Sequence, residues 1–343
     1  MHIGGEFDYP WDFLAARKTA DGDLAGSVSD GAALVPPGAV LTASGRQAFS
    51  LLAQHLREAG HRHLIAPAYA CHTMIEPFAL EGIAVTRVEV GRDMQPEPAA
   101  LARAAESYPE APILISETYG IPVTARIPGH PLILDRSHSL FAEQQVEADF
   151  VVGSLRKLLP IPDGGFVAGI GDPADYPLER TTLDRRVTSE RLADMMSGNP
   201  REGTEDLVDL ASTPAAISPE SLELLSRLDA AGLGRERARN ALALATRLRD
   251  AGMSDSSTPA ASDAQPDPSL PRILAVTTHA VLLELARPAD AEVFVRGGVT
   301  PVVTWESVGW CRKVIGLPVD QDLNDEGIAT IVNLAISLRA TYS

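Results

Sequence analysis

The stretch GSLRKLLPIPDGGF, residues 153–166, places one lysine between an apolar run and a proline-containing turn that ends in two glycines. The run DFVVGS at 149–154 predicts a buried strand, and the IPDGG that follows predicts a tight turn, since glycine adopts positive φ freely. Ser154 and Lys157, three residues apart after a strand, can project a hydroxyl and an amine into one cleft. Lys157 is therefore either a solvated surface cation or an amine held for covalent chemistry. Burial, or the neighbouring Arg156, would favour the uncharged amine that attacks an aldehyde.

Around this stretch, short apolar runs alternate with amphipathic segments from about residue 40 to residue 170. This alternation is typical of a mostly parallel central sheet flanked by helices, so we predict an α/β fold. The strand candidates are RHLIAP (62–67), IAVTRVEV (83–90), APILISE (111–117), HPLILD (130–135), DFVVGS (149–154) and GFVAGI (165–170). A helix is predicted from Ser44, a good N-cap, to Gly60.

The rest of the chain predicts a linking helix and a small second domain. Ser218 can cap, and Pro219 can begin, a long helix that is interrupted near Gly232 and Gly234. Residues 252–271 are rich in Ser, Asp and Pro and predict a mobile loop. Beyond it, RILAVTTHAVLLELA, TPVVTWE and NDEGIATIVNLAISLRA predict a small α+β domain. The predicted domains are a major domain with an N-terminal arm (1–215), a linking helix (216–250) and a small C-terminal α+β domain (251–343).

Composition and charge exclude several classes of protein. The 343 residues carry a net charge of −17 without a basic cluster, so nucleic acid is not expected as a partner. No signal peptide is visible and no run reaches the ~18 apolar residues of a membrane span, so we expect a cytoplasmic protein without a membrane partner. Cys71 and Cys311 are too few for a disulfide framework and too far apart for a zinc site.

Two further features lie at element ends. Gly45 and Arg46 begin the first helix, where free N–H groups and a partial positive charge suit a phosphate, although most such helix starts bind nothing. Asp135 ends HPLILD, and a carboxylate buried there needs a cationic partner, such as a protonated ring nitrogen, or several donors. Pairing with Arg136, or capping of the next turn, is an equal alternative. His138 can reach the same ligand or serve as an ordinary structural hydrogen-bonding residue.

The order of these features along the chain indicates a cofactor. A phosphate cradle, a carboxylate at a strand end and a lysine after a later strand are what pyridoxal 5'-phosphate (PLP) requires for anchoring, control of its electron sink and covalent attachment. The ordered set is far rarer by chance than any one part. A dinucleotide dehydrogenase fits poorly, since GIGDPAD lacks the third spaced glycine and follows a late strand.

With these residues in view, the sequence resembles the DegT/DnrJ/EryC1/StrS family of fold-type I PLP enzymes, the sugar aminotransferase-like proteins. The matching segments are ASGRQAF (43–49), PAYACHTM (67–74), ETYG (117–120), DRSH (135–138), the lysine before PDGG, and LPVDQDLNDEGIATIV (317–332). Arg46 stands where the family has threonine, and Cys71 stands where it has the aromatic residue that stacks on the cofactor. Ser154 lies two residues beyond the family's usual phosphate-binding serine.

The resemblance implies roles for individual residues. Lys157 would attach PLP as a Schiff base and then act as acid and base, Asp135 would pair with the pyridinium nitrogen, and His138 would lie near the ring hydroxyl. The remaining cofactor-binding positions that it implies are Gly45, Arg46, Cys71 and Ser154. It also implies a homodimer with the active site at the interface, for which the polar stretch 172–213 is a candidate partner loop.

The expected reaction is amino transfer from an amino acid such as glutamate to a keto sugar nucleotide or a related small-molecule intermediate. Two alternatives stay open. The first is a PLP-dependent lyase, racemase or C–C bond-forming enzyme, which the altered ring-stacking position favours. The second is a non-catalytic sensor that keeps the fold, against which the intact Asp135, His138 and Lys157 argue.

Overall fold

The computed structural model describes residue 3 and residues 34–124, 126–197, 212–255, 270–303, 305 and 309–338. The chain divides into two compact units, and the main division falls between Leu233 and Gly234. The described residues before it form the larger unit, except that Ile3 and residues 119–121 belong to the smaller one. The domain boundaries at residues 215 and 250 remain predictions.

A mixed β-sheet organises the larger unit. Its strands are β1 (Val40–Thr42), β2 (His63–Pro67), β3 (Ala84–Val88), β4 (Ile113–Ser116), β5 (Leu132–Asp135), β6 (Phe150–Ser154) and β7 (Gly165–Ala168). Among the described residues the strand order is β1-β7-β6-β5-β4-β2-β3. The ladders that join β3, β2, β4, β5 and β6 are parallel, whereas β7 runs antiparallel to both β6 and β1. The six strand candidates and the mostly parallel sheet are confirmed; β1, only three residues long, was not predicted.

Helices flank this sheet. The first three are α1 (Gly45–Glu58), α2 (His72–Leu80) and α3 (Pro98–Ser107). α1 begins as predicted, because the Ser44 hydroxyl accepts a hydrogen bond from Gln47 N at 3.2 Å and satisfies one of the N–H groups left over at a helix start. Beyond its end, Gly60 adopts a φ of 99°. Every residue of β4, β5 and β7 is buried, as expected for strands covered on both faces.

Later helices correct one expectation. They are α4 (Thr182–Ser197), α5 (Pro219–Leu225) and α6 (Ala230–Asp250). Ser218 caps α5 as predicted, but the interruption near Gly232 and Gly234 is wrong, because α6 runs through both and the break lies at residues 226–229. Asp229 gives the reason: its Oδ1 accepts a hydrogen bond from Gly232 N at 2.8 Å at the start of α6. A Cβ on Gly232 would lie 2.4 Å from the other carboxylate oxygen, so glycine leaves room for this contact.

The smaller unit has an antiparallel sheet of its own. Its strands are β8 (Arg272–Val276), β9 (Ala280–Glu284) and β10 (Val314–Pro318), with β9 in the centre. Helices α7 (Ala291–Arg296) and α8 (Asp325–Ser337) complete it, and apolar side chains of α6, α7, α8 and all three strands form one core. The α+β prediction is confirmed. Residues 301–303 of TPVVTWE are not a strand; instead Val302 N donates to Gly316 O of β10 at 3.1 Å.

Two predicted loops are only partly described. The stretch 172–213 contains α4, and its residues 198–211 lie outside the described residues. Most of the predicted loop 252–271, residues 256–269, lies outside them as well. Within the part of the chain that the structure describes, no helix has both the length and the apolar character that crossing a membrane requires.

Candidate active site

The carboxyl ends of several strands meet at one edge of the larger unit's sheet. β2, β4, β5 and β6 are parallel, and β1 points the same way because β7 runs antiparallel to both of its neighbours. Open α/β sheets bind their ligands at this edge. The segments that leave it carry the residues selected from the sequence, and five of these form what we call the carboxyl-edge group: Gly45, Asp135, His138, Ser154 and Lys157.

Asp135, the last residue of β5, is 1% exposed and is hydrogen-bonded through both carboxylate oxygens. Oδ1 accepts from Ser137 N at 2.9 Å and from the Ser137 hydroxyl at 2.6 Å, while Oδ2 accepts from the Ser116 hydroxyl at 3.1 Å. Ser116 ends β4 and lies opposite Asp135 in the parallel ladder. Burial of a carboxylate is costly without donors, and these three donors supply the compensation.

Arg136 does not pair with Asp135, which was one alternative left open by the sequence; the other, capping of the next turn, is confirmed, because Ser137 N donates to Asp135 Oδ1 at 2.9 Å. Its Nε lies 3.1 Å from Glu117 Oε2, and the same oxygen accepts a hydrogen bond from the Ser139 hydroxyl. Glu117 directly follows β4 and is fully buried. The DRSHS segment is therefore tied to the carboxylate of Asp135 through one serine and to Glu117 through two other side chains.

Lys157 lies on a turn directly after β6, and its Nζ is 3.1 Å from His138 Nε2. The lysine is half-buried and the histidine is 2% exposed. Fully buried leucines at positions 155, 158 and 159 anchor the turn. Leu155 N donates to Gly164 O at 3.0 Å and closes the loop that carries the lysine. The amine therefore extends from a backbone that is packed on both sides of it.

The start of α1 lies against the end of β6. A Cβ on Gly45 would be 2.9 Å from Ser154 Cβ and 3.3 Å from Ser154 Cα. A Cβ on Gly165, which lies opposite Ser154 in the antiparallel ladder, would be 2.4 Å from the carbonyl carbon of Ser44. Glycine at both positions thus lets a helix N-terminus, with its leftover N–H groups and partial positive charge, approach a serine at a strand end. Such a cradle suits a phosphate.

Two of the selected residues have other neighbours. Arg46, with a side chain only 8% exposed, donates to Glu76 Oε2 of α2 at 2.6 Å. Cys71 is half-buried in the N-cap position of α2, and its Sγ lies 3.0 Å from Thr73 Oγ1. Cys71 follows β2, which β4 separates from β5, so it belongs to the same sheet edge but lies two strands away from Asp135.

Sequence reasoning did not assign Ser116 or Ser137. Ser137 carried a local signal, because a residue two positions after an aspartate commonly donates its N–H to that carboxylate. Ser116 carried none, because it reaches Asp135 from 19 residues away through the register of the ladder between β4 and β5.

The architecture matches solved enzymes over most of the chain. The sugar aminotransferase CalS13 from Micromonospora echinospora superposes with a TM-score of 0.57 at 16% identity, covering 90% of this chain and 89% of that one. The fold is that of solved sugar aminotransferases. PseC from Helicobacter pylori, an aminotransferase involved in pseudoaminic acid biosynthesis, gives 0.57 at 13% identity, covering 88% and 87%. A DegT DnrJ EryC1 StrS aminotransferase from Brucella abortus gives 0.54 at 14%, covering 89% and 86%. No protein-family model and no curated protein sequence matches the chain.

These likenesses establish the fold-type I architecture that the sequence predicted. At 13 to 16% identity they carry no residue roles with them. The chemistry of this chain rests on its own carboxyl-edge group.

Proposed function

We propose that this chain is a PLP-dependent aminotransferase of the DegT/DnrJ/EryC1/StrS type. It would move an amino group from an amino acid donor, such as glutamate, to a keto sugar nucleotide or a related biosynthetic intermediate. The observation that carries the proposal is the 3.1 Å contact between Lys157 Nζ and His138 Nε2. His138 follows the buried Asp135 by three residues. An amine, an imidazole and an oriented anion at the carboxyl edge of one sheet are the groups that PLP chemistry uses.

The residues present fit the phosphate, the ring nitrogen and the aldehyde of the cofactor. The close approach of Gly45 to Ser154 makes a cradle for the phosphate that any side chain at Gly45 would obstruct. Asp135, buried and held by three donors, suits a protonated ring nitrogen, because an anion favours the charged form of a neighbouring base. Lys157 has the primary amine needed for covalent attachment. When bound, PLP supplies an aldehyde that captures amines and a ring that accepts electrons from the substrate carbon.

The protein's own groups then divide the work. Lys157 would hold the cofactor through its primary amine, and Nζ would serve as the acid and base for the proton at the substrate carbon. His138 Nε2 lies 3.1 Å from this amine and would hold Nζ in place by a hydrogen bond. Asp135 would pair with the ring nitrogen. We further propose a homodimer with residues of the second subunit completing the site.

The amine attachment is tested by chemical labelling. Reduction of the PLP-treated protein with borohydride should leave a pyridoxyl mass on the peptide that contains Lys157. Lys157→Ala should abolish the label, and Lys313→Ala, which removes an exposed lysine of the smaller unit, should leave it intact. Label found only on Lys313, or on no peptide, would contradict the proposal.

The reaction type is tested with donor amino acids. Glutamate should convert the coloured protein to the pyridoxamine form, and Asp135→Ala should keep its fold while it loses most of this conversion. The lyase or racemase alternative is favoured by Cys71, which replaces the ring-stacking aromatic residue of the family. Labelling at Lys157 without conversion by any common donor would support that alternative over amino transfer.

A further inference from the structure

Ser137 links the two strands that carry the carboxyl-edge group. Its hydroxyl donates to Asp135 Oδ1 at 2.6 Å and accepts from Ser154 N at 2.9 Å. A serine hydroxyl has one proton, and an N–H can only donate, so the direction of both hydrogen bonds is fixed. The side chain is 3% exposed, which shields both bonds from competing water.

The Ser137 hydroxyl extends the hydrogen-bond ladder between β5 and β6 by one step beyond its last backbone pair. The hydrogen bonds between β5 and β6 run as far as Arg136 N, which donates to Val152 O at 2.8 Å. The next N–H of β6 that faces β5 belongs to Ser154, and it finds the Ser137 hydroxyl in place of a backbone carbonyl. Ser137 therefore sets the position of the end of β6, from which the chain turns into Lys157.

The same side chain fixes the carboxylate. Oδ1 of Asp135 receives both the N–H and the hydroxyl of Ser137, and Oδ2 receives the hydroxyl of Ser116. A carboxylate offers about four acceptor positions. Among the described residues these three donors occupy Asp135, so Oδ2 keeps the capacity for one more. The arrangement saturates one oxygen and reserves the other.

We propose that Ser137 is a positioning residue for the cofactor. It holds Asp135 so that Oδ2 is the oxygen available to the ring nitrogen, and it fixes the end of β6 relative to that oxygen. The inference rests on the proposed function, since it concerns the same site. It assigns to Ser137 a role that is exerted through Asp135 and the end of β6.

The test uses purified full-length protein, stripped of cofactor and titrated with PLP. In Ser137→Ala we expect the dissociation constant to rise about 10-fold, the loss expected for one hydrogen bond to a charged group. We also expect the pH midpoint of the cofactor's visible band to move upward by about half a unit. The reason is that a less firmly held Asp135 leaves the ring nitrogen less protonated, so the ring draws less charge from the Lys157 nitrogen, which keeps its proton to higher pH.

Ser139→Ala is the matched control. It removes a buried hydroxyl two residues further along the same segment, but that hydroxyl serves Glu117. Its pH midpoint should equal that of the wild type, even where thermal unfolding shows a similar loss of stability. A shift equal to that of Ser137→Ala would overturn the inference, because it would reduce the effect to general loosening of the segment.

Ser137→Cys keeps the shape and substitutes a weak donor, so it carries the test if the alanine variant fails to fold. Its midpoint should move in the same direction by less. Wild-type affinity and midpoint in both Ser137 variants would overturn the inference alone. A wild-type protein that binds no PLP would overturn the proposed function, and the inference with it.

Discussion

Asp163 offers the sharpest test of how the loop after Lys157 is held. Asp163 is buried, and its side chain accepts four hydrogen bonds. Oδ2 accepts from Arg180 at 2.9 Å and from the Thr188 hydroxyl at 2.6 Å, and Oδ1 accepts from the N–H and the hydroxyl of Ser218 at 3.1 and 2.8 Å. This one carboxylate therefore joins the loop to α4 and to the start of α5. We expect Asp163→Asn to disconnect part of this junction.

The size of the expected loss of stability follows from the burial of the Arg180–Asp163 ion pair. The Arg180 and Asp163 side chains are only 10% and 3% exposed, so salt and water screen their attraction weakly. Asparagine can still accept from Ser218, but it turns a neutral amide toward the guanidinium. Arg180 keeps the carbonyls of Ala216 at 2.7 Å and Asp184 at 3.1 Å, and neither carries a full charge. Leaving a buried ion without its counter-ion destabilises a protein by about 3–5 kcal/mol, and we expect a loss in that range.

The control is an ion pair in the same unit with a shorter distance and greater exposure. Arg186 Nε and Glu190 Oε1 are 2.7 Å apart along α4, with side chains 63% and 25% exposed. Exposed pairs of this spacing contribute about 0.3–0.5 kcal/mol, so Glu190→Gln should lose less than about 1 kcal/mol. Urea unfolding followed by circular dichroism gives both values. Equal losses in the two variants, or a loss below about 1 kcal/mol in Asp163→Asn, would refute the reasoning.

Three further changes have calculable directions. Gly165→Ala puts a Cβ 2.4 Å from the backbone at the start of α1, so it should lower the free energy of unfolding in urea by about 1–3 kcal/mol. The control, Gly91→Ala, meets only the ends of two carboxylate side chains and should lower it clearly less. Equal losses in the two variants would contradict the steric explanation. Burial lowers the pKa of His55 in the folded state, so on acidification the unfolded chain takes up a proton at this histidine before the folded chain does. The neutral imidazole therefore contributes fully to stability above pH 6.5, and this contribution is lost as the pH falls toward the lower folded pKa. His55→Asn should flatten the decline of the urea midpoint between about pH 7 and 5, and an unchanged slope would count against it. Arg237 is buried, and burial lowers its pKa to about 10, so its charge costs free energy in the folded state. Arg237→Met removes that charge but takes away the donor that Thr278 O accepts from at 2.8 Å. We therefore expect a loss of at most about 1–3 kcal/mol, and a loss of about 5 kcal/mol in thermal unfolding corrected to a common temperature would argue otherwise.

The strands of the larger unit could be predicted because each is a short apolar run bounded by polar or glycine residues. The N-cap at Ser44 and the cap at Ser218 were visible for a similar reason: the hydroxyl bonds an N–H only three residues away. The failure at Gly232 shows the limit of this local reasoning. Glycine weakens helices on average, but here it leaves room for the Asp229 side chain that starts α6.

The sequence suggested the reactive residues of the candidate site, but not most of the residues that hold them in place. Asp135, His138 and Lys157 stand out because their types and order suit one cofactor. Ser137 holds Asp135 from two residues away, but the other supporting hydrogen bonds join residues 17 to 58 positions apart in sequence, as for Ser137 with Ser154, Ser116 with Asp135 and Asp163 with Ser221. Their pairing depends on strand order and register, and a single sequence shows neither.

Local and long-range contacts meet at Lys157, whose amine has to move under the proposed function while its backbone stays in place. A lysine that binds a cofactor, releases it and carries a proton needs a mobile Nζ, and the side chain of Lys157 is only half-buried. Its neighbours supply the rigidity: Leu155 and Leu158 are fully buried, and Gly164 N donates to Ala43 O at 2.9 Å beside the start of α1. The residues that hold the turn differ from the residue proposed to react. Lys157→Ala should therefore abolish the reaction and keep the fold, whereas substitution of Leu155 or Leu158 should impair both the fold and the reaction.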